Sequence, residues 1–173
     1  ADTFIENVFA KPVNVLNDNR SVNVRAYLGG GTERDLQLTA ELRDGDRIIA
    51  TGTKNVIGKE PQDIVLTNIG QIELWSTDKP RLYDVRVTIR SGNAILDHYD
   101  TRIGFRDATF TPEGFFLNGK LLKLRGLNRH QTYPYVGQAM PWRVQKHDAW
   151  VLRKELHCNI VRTSHYPQSP HFL

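Results

Sequence analysis

Cysteine and methionine are almost missing from this sequence, with one residue of each. The lone thiol, Cys158, has no partner for an intrachain disulfide. A solitary cysteine among apolar neighbours is expected as a buried, inert side chain. Long apolar runs are missing as well. They extend only a few residues, as at Ile48-Ile49-Ala50, far too short to cross a bilayer, so no membrane partner is expected. The start, Ala1-Asp2-Thr3, carries neither a basic stretch nor an apolar one, so no signal peptide is visible. Internal repeats and low-complexity tracts are absent. What remains is the composition of a globular protein, 39% hydrophobic and 24% charged.

The net charge of +4 is unevenly placed. Residues 1–106 carry 14 Lys+Arg against 15 Asp+Glu, and residues 107–173 carry 9 against 4. The second part is therefore basic. Its cations are scattered between apolar residues and form no stripe interleaved with aromatics, so no nucleic-acid partner is expected.

The first hundred residues read as β-structure. Val22, Val24, Ala26 and Leu28 alternate with polar residues, as do Leu36, Leu38, Ala40 and Leu42. Period-two alternation marks a strand with one buried face. Asp44-Gly45 supplies a tight turn after the second set. Further strands are expected at 47–53, 63–69, 82–90 and 94–105, separated by Gly29-Gly30-Gly31, Gly58, Lys79-Pro80 and Ser91-Gly92-Asn93. About seven short strands in about 100 residues suggest a β-sandwich. Tyr83, near the start of a late strand, is either a corner tyrosine or a half-buried strand residue.

The pattern changes after Arg106. Gly114 to Gly119 reads as a short strand running into an Asn-Gly turn, and Leu121–Leu127 as an apolar-basic strand. A polar, aromatic loop follows from Asn128 to Pro141. Residues 142–157 read as a helix, with Val144, Val151 and Leu152 on one face beside Ala149 and Leu156. Asn159 to Thr163 is a second strand. Strand, loop, helix, strand is a βαβ unit with parallel strands. One such unit cannot close a barrel, which takes about 250 residues.

Two stretches carry a resemblance: Leu124-Arg125-Gly126-Leu127-Asn128-Arg129-His130, and Asn159-Ile160-Val161-Arg162-Thr163-Ser164-His165-Tyr166-Pro167. Both resemble signature segments of family-two glycoside hydrolases of the β-galactosidase type. So do Phe116-Leu117-Asn118-Gly119-Lys120, Thr101 to Arg106, and Leu74-Trp75-Ser76 through Tyr83. The resemblance runs along nearly the whole chain. It implies a mainly β fold: an immunoglobulin-like β-sandwich over 1–106, then the incomplete start of a (β/α)8 TIM barrel over 107–173. Ala1-Asp2-Thr3 resembles the linker that enters the sandwich, so the chain is expected to be a fragment.

The implied activity is that of a retaining exo-glycosidase on terminal β-linked sugars, most of all β-galactosides, with no cofactor. Such enzymes use two carboxyl groups about 5–5.5 Å apart. In the family both are glutamates on later barrel strands. Glu113 and Glu155 are expected to be surface residues, so no catalytic residue is expected in this chain, and the fragment alone is expected to be inactive. His130 and His165 are implied to contact sugar hydroxyls. Arg162 is implied to pair with the nucleophilic carboxylate, a task suited to a planar guanidinium that keeps its charge. Partners are then the galactoside and the remaining domains of the parent enzyme.

Other readings stay open. Asn128 or Arg129 could brace the loop or touch sugar. Tyr133, Tyr135 and Trp142 could stack on sugar faces, although packing of the loop against the barrel is preferred. A metal site is not expected, because the loop holds no His-x-His pair and no Asp, Glu or Cys at ligand spacing. A β-glucuronidase of the same family is the nearest rival; Arg129, where a glucuronidase often has lysine, favours the galactosidase. A non-catalytic sandwich module, binding carbohydrate or scaffolding other domains, is the rival from another class.

Overall fold

Alternation of small and branched apolar residues builds two facing sheets from the first hundred residues. The computed structural model describes residues 3–31, 35–58, 60–163 and 165–173. Ala1, Asp2 and Ser164, which enter the sequence readings above, lie outside them. The chain divides into two compact units: residues up to Thr109 with Phe116–Lys120, and Phe110–Phe115 with Leu121–Leu173.

In the first unit, β1 (Thr3–Val13), β2 (Ser21–Gly30) and β5 (Gln62–Leu66) form one sheet in the order β1-β2-β5. β4 (Arg47–Asn55), β3 (Leu36–Asp44), β6 (Tyr83–Ser91) and β7 (Ala94–Ile103) form the other, in the order β4-β3-β6-β7. Adjacent strands within each sheet are antiparallel. The two alternating sets therefore lie in different sheets. Val22, Val24 and Ala26 face a common core with Leu36, Leu38, Ala40 and Leu42, joined by Ile64, Leu66, Val85, Val87, Ile89 and Phe105. Leu28 is only partly buried against that core.

Strand β1 has no counterpart among the strands read from sequence. Its pairing with β2 shifts register between Ile5 and Asn7. That bulge breaks the alternation that marks the other strands. The strands at 63–69 and 94–105 are shorter than expected, ending at Leu66 and Ile103. Gly45 takes φ 59° at the β3–β4 turn, a conformation glycine adopts without a Cβ penalty.

Tyr83 is a corner tyrosine. It opens β6, its ring is buried, and its hydroxyl accepts a hydrogen bond from the Glu73 backbone N–H at 2.8 Å. The ring meets Phe105 edge-on with centroids 5.4 Å apart, and the Arg81 guanidinium carbon lies 4.8 Å from the Tyr83 ring centroid. This is the usual way a sandwich ties the corner before its late strand.

Next come β8 (Ala108–Thr111), β9 (Gly114–Leu117) and β10 (Lys120–Leu121), a small sheet in the order β10-β9-β8. The expected Asn-Gly turn joins β9 to β10. Asn118 and Gly119 both have positive φ, 53° and 73°, the signature of a primed hairpin turn. Asn118 is anchored three ways: its N–H donates to the Asp107 carbonyl, its Oδ1 accepts from the Asp107 N–H, and its Nδ2 donates to the Trp75 carbonyl.

In the second unit the apolar-basic strand starts later than expected. β11 is Gly126–Arg129, and residues 122–125 precede it without regular structure. It pairs in parallel with β12 (Ile160–Thr163), Gly126 opposite Ile160 and Arg129 opposite Thr163. Between them runs α1 (Trp142–Trp150), continued by a π-helical turn over Val151–Glu155. The βαβ unit is therefore present. The expected helix face is only half covered, however. Val144, Ala149, Val151 and Leu152 are partly exposed, Leu156 is exposed, and the one buried residue of α1 is Gln145. A single pair of strands offers this helix little apolar surface to cover that stripe.

Candidate active site

The site is built at the C-terminal ends of β11 and β12. Two local features bring those strands together. Gly126 lies so close to Ile160 that a Cβ there would collide with the Ile160 carbonyl oxygen, so only glycine allows the approach. Asn159, just before β12, accepts from the Arg125 N–H at 2.8 Å and donates to the Lys123 carbonyl at 2.9 Å, while its own N–H donates to the Arg125 carbonyl. Cys158, beside it, is buried as expected.

With the strands in this register, the residues that follow them become neighbours. His130 and His165 are both exposed, with ring centroids 5.6 Å apart in an edge-on arrangement. The Tyr166 ring lies 6.4 Å from His130. The Tyr166 hydroxyl accepts a hydrogen bond from the Gln131 N–H at 2.7 Å. Arg162 lies in β12 and is exposed, and no carboxylate among the described residues pairs with it. The structure thus brings the two histidines together on one face.

Arg129 behaves differently from its neighbour. It is 6% exposed, and its guanidinium is consumed inside the unit. Nε and Nη2 donate to Asp148 Oδ2 at 3.2 and 3.0 Å, Nη2 also donates to Gln145 Oε1 at 2.7 Å, and Nη1 donates to Gln168 Oε1 at 2.6 Å. Met140 Sδ lies 3.4 Å from Nη2, and the Phe172 ring centroid is 4.1 Å from the guanidinium carbon. Of the two roles left open for Arg129, bracing is the one its contacts fill. No spacing motif marks this role in the sequence, because its partners at 140, 145, 148, 168 and 172 come from separate segments.

The loop aromatics depart from the packing expected of them. Tyr133, Tyr135 and Trp142 are 46%, 106% and 48% exposed. A short bridge between Tyr133 and Gly137 closes the loop without burying them. Trp142 is flanked by Arg143 and Lys146 at cation–π distances. Glu113 and Glu155 are both exposed. A hydrogen bond from the Thr111 hydroxyl holds the Glu113 carboxyl below its ordinary value.

A sandwich followed by a βαβ unit has matching relatives. Residues 3–106 match the model for glycosyl hydrolases family 2, and residues 109–173 match the TIM barrel domain of the same family. The chain belongs to family 2 of the glycosyl hydrolases. The family-2 chain is 43% identical to a β-galactosidase of Thermoanaerobacterium thermosulfurigenes over 99% of its own length and 25% of that protein. It is 36% identical to a β-galactosidase of Rhizobium meliloti, over 98% of its length and 23% of that protein. Among solved structures, a β-glucuronidase of Bacteroides uniformis matches with a TM-score of 0.84 at 28% identity, over 99% of this chain and 22% of that one. This family-2 chain therefore spans about a quarter of the length of the curated relatives it matches. Its fold is mainly β, a sandwich followed by the opening strands and helix of a TIM barrel.

Proposed function

We propose that this chain is part of a retaining exo-glycosidase that hydrolyses terminal β-linked sugars, with β-galactosides as the preferred class. The observation that carries this reading is the exposed His130–His165 pair at the C-terminal ends of two adjacent parallel strands. In barrel enzymes that is the face where chemistry occurs. The 43% identity to a β-galactosidase supports the sugar.

In this reading residues 1–106 are the sandwich domain and residues 107–173 the N-terminal part of the catalytic domain. His130 and His165 hydrogen-bond sugar hydroxyls, contacts that strengthen as the ring flattens toward an oxocarbenium-like transition state. Arg162 holds the nucleophilic carboxylate ionised. The carboxylate pair is supplied from outside residues 1–173. Partners are then the galactoside and the remaining domains of the parent enzyme.

Kinetics of His165→Ala in the parent enzyme test the site. Loss of a contact made mainly in the transition state lowers kcat and kcat/KM together. By analogy with other single transition-state donors, a loss of about 2–4 kcal/mol is expected. Near-normal turnover would remove His165 from the site. The 173-residue chain by itself is expected to leave a chromogenic β-galactoside unhydrolysed, and turnover that survives repurification would contradict the missing-carboxylate argument.

A β-glucuronidase is the second reading, supported by the likeness to the Bacteroides uniformis structure. Arg129 favours the galactosidase as a motif residue, where a glucuronidase often has lysine, and not as a sugar contact, since its guanidinium is held inside the unit. Matched aryl β-galactoside and aryl β-glucuronide substrates separate the two readings.

A further inference from the structure

We infer that Arg129 is a positioning residue that sets the spacing of the two site histidines by clamping the segment after β12 to the loop after β11. The inference rests on the proposed role of His130 and His165.

His130 has no hydrogen-bonded anchor of its own side chain among the contacts described above. Both its chain neighbours are tied to the segment that carries His165. On one side, Arg129 reaches Gln168 and Phe172. On the other, Gln131 donates its N–H to the Tyr166 hydroxyl, and its Oε1 accepts from the Ser169 N–H at 3.1 Å. His165 itself precedes Tyr166 directly. The two rings are therefore held from both flanks by contacts between the same two segments.

Arg129 adds a third body to this clamp. Through Asp148 and Gln145 it fixes both segments to α1, and Gln145 Nε2 donates to the Met140 carbonyl at the end of the His130 loop. A guanidinium suits this junction because its planar fork can serve several acceptors at once. A lysine ammonium is a point charge on a flexible stem and cannot span Asp148, Gln145 and Gln168 in the same geometry. Burial raises the stakes, because an acceptor left without a donor in such a site is costly. Placement matters for rate as well: a misplacement of about 1 Å can cost about 100-fold.

The test uses Arg129→Lys, which keeps the charge and most of the volume. In the parent enzyme, active sites are counted with a covalent 2-fluoroglycoside titrant, so that misfolded molecules drop out. Turnover per titrated site is expected to fall about 10- to 100-fold, while Lys154→Ala, an exposed helix position, stays at the parent value. In the 173-residue chain, ring-proton contacts between His130 and His165 are followed by NMR. They are expected in the unsubstituted chain and in Lys154→Ala, and should be lost in Arg129→Lys. Gln168→Ala, which removes one arm of the clamp, is the milder companion should Arg129→Lys fail to fold, and should weaken the same ring contacts.

Unchanged ring contacts in a folded Arg129→Lys or Gln168→Ala chain would overturn the inference. So would full turnover per titrated site in an Arg129→Lys enzyme in which His130→Ala is impaired. Full turnover in His130→Ala would instead defeat the site reading, leaving the ring contacts to decide the clamp.

Discussion

Gly126 and Ile160 face each other across the β11–β12 pair so closely that a Cβ on the glycine would stand 2.6 Å from Ile160 Cγ2 and overlap its carbonyl oxygen. The neighbour is main chain, which cannot swing aside as a long side chain would. Gly126→Ala should therefore force the strands apart at a cost of about 1–3 kcal/mol. Hydrogen exchange checks this. Amides of 126–129 and 160–163 should lose protection while those of the sandwich keep theirs. Retained protection in both strands would show that the approach tolerates a methyl group.

The sandwich core gives a paired prediction. Leu38 is fully buried in β3, and its neighbour Gln37 is exposed on the other face. Leu38→Ala should cost about 2–5 kcal/mol, and Gln37→Ala should fall within about 0.5 kcal/mol of the parent. Urea titration of the two variants measures both. Equal losses would mean that β3 does not divide its faces in this way.

Tyr83→Phe removes only the hydroxyl that accepts the Glu73 N–H. The ring and its edge contact with Phe105 remain. The expected loss is that of one net hydrogen bond, about 0.5–1.5 kcal/mol. Thermal unfolding should show a lowered Tm without loss of the folded state. A variant as stable as its parent would leave the corner to apolar packing alone.

Cross-strand ion pairs predict the acid response. Arg25 and Asp63 are register partners on β2 and β5, and Arg86 and Asp100 on β6 and β7; each pair is bidentate. Hydrogen bonds from the arginines hold both carboxyls below the ordinary carboxylate value. A carboxyl depressed in the folded state stabilises it fully above the unfolded value, about pH 4, and that contribution is lost as pH falls through the folded value. Stability should therefore decline below about pH 4, less steeply in Asp63→Asn/Asp100→Asn. The pairs are exposed, so added salt should reduce the difference. Parallel Tm–pH curves for the two proteins at low salt would count against this assignment.

Legibility differed between the two parts of the chain for physical reasons. In β2 and β3 each buried residue is followed by an exposed or half-exposed one, so the sequence displays their faces directly. In β1 the bulge near Glu6 shifts that rhythm by one residue, and the strand is hidden. The helix was readable as a helix, but its buried residue is Gln145, which no apolar periodicity marks. The same holds at the site. His130 and His165 were found through the motifs around them. The Arg129 cluster depends on side chains that only folding brings together, and exposure of Tyr133, Tyr135 and Trp142 depends on what covers the loop rather than on their type.

Each strand of the β11–β12 pair has one neighbour among the described residues, so each leaves an outer edge of main-chain donors and acceptors without a strand beside it. Leu127 and Ile160 on these strands are half exposed. Unpaired edges with apolar side chains are templates for strand addition by another molecule. Concentrated solutions of this chain should therefore self-associate through its second unit, and a lysine placed on either outer edge is the substitution to try first for keeping it dispersed.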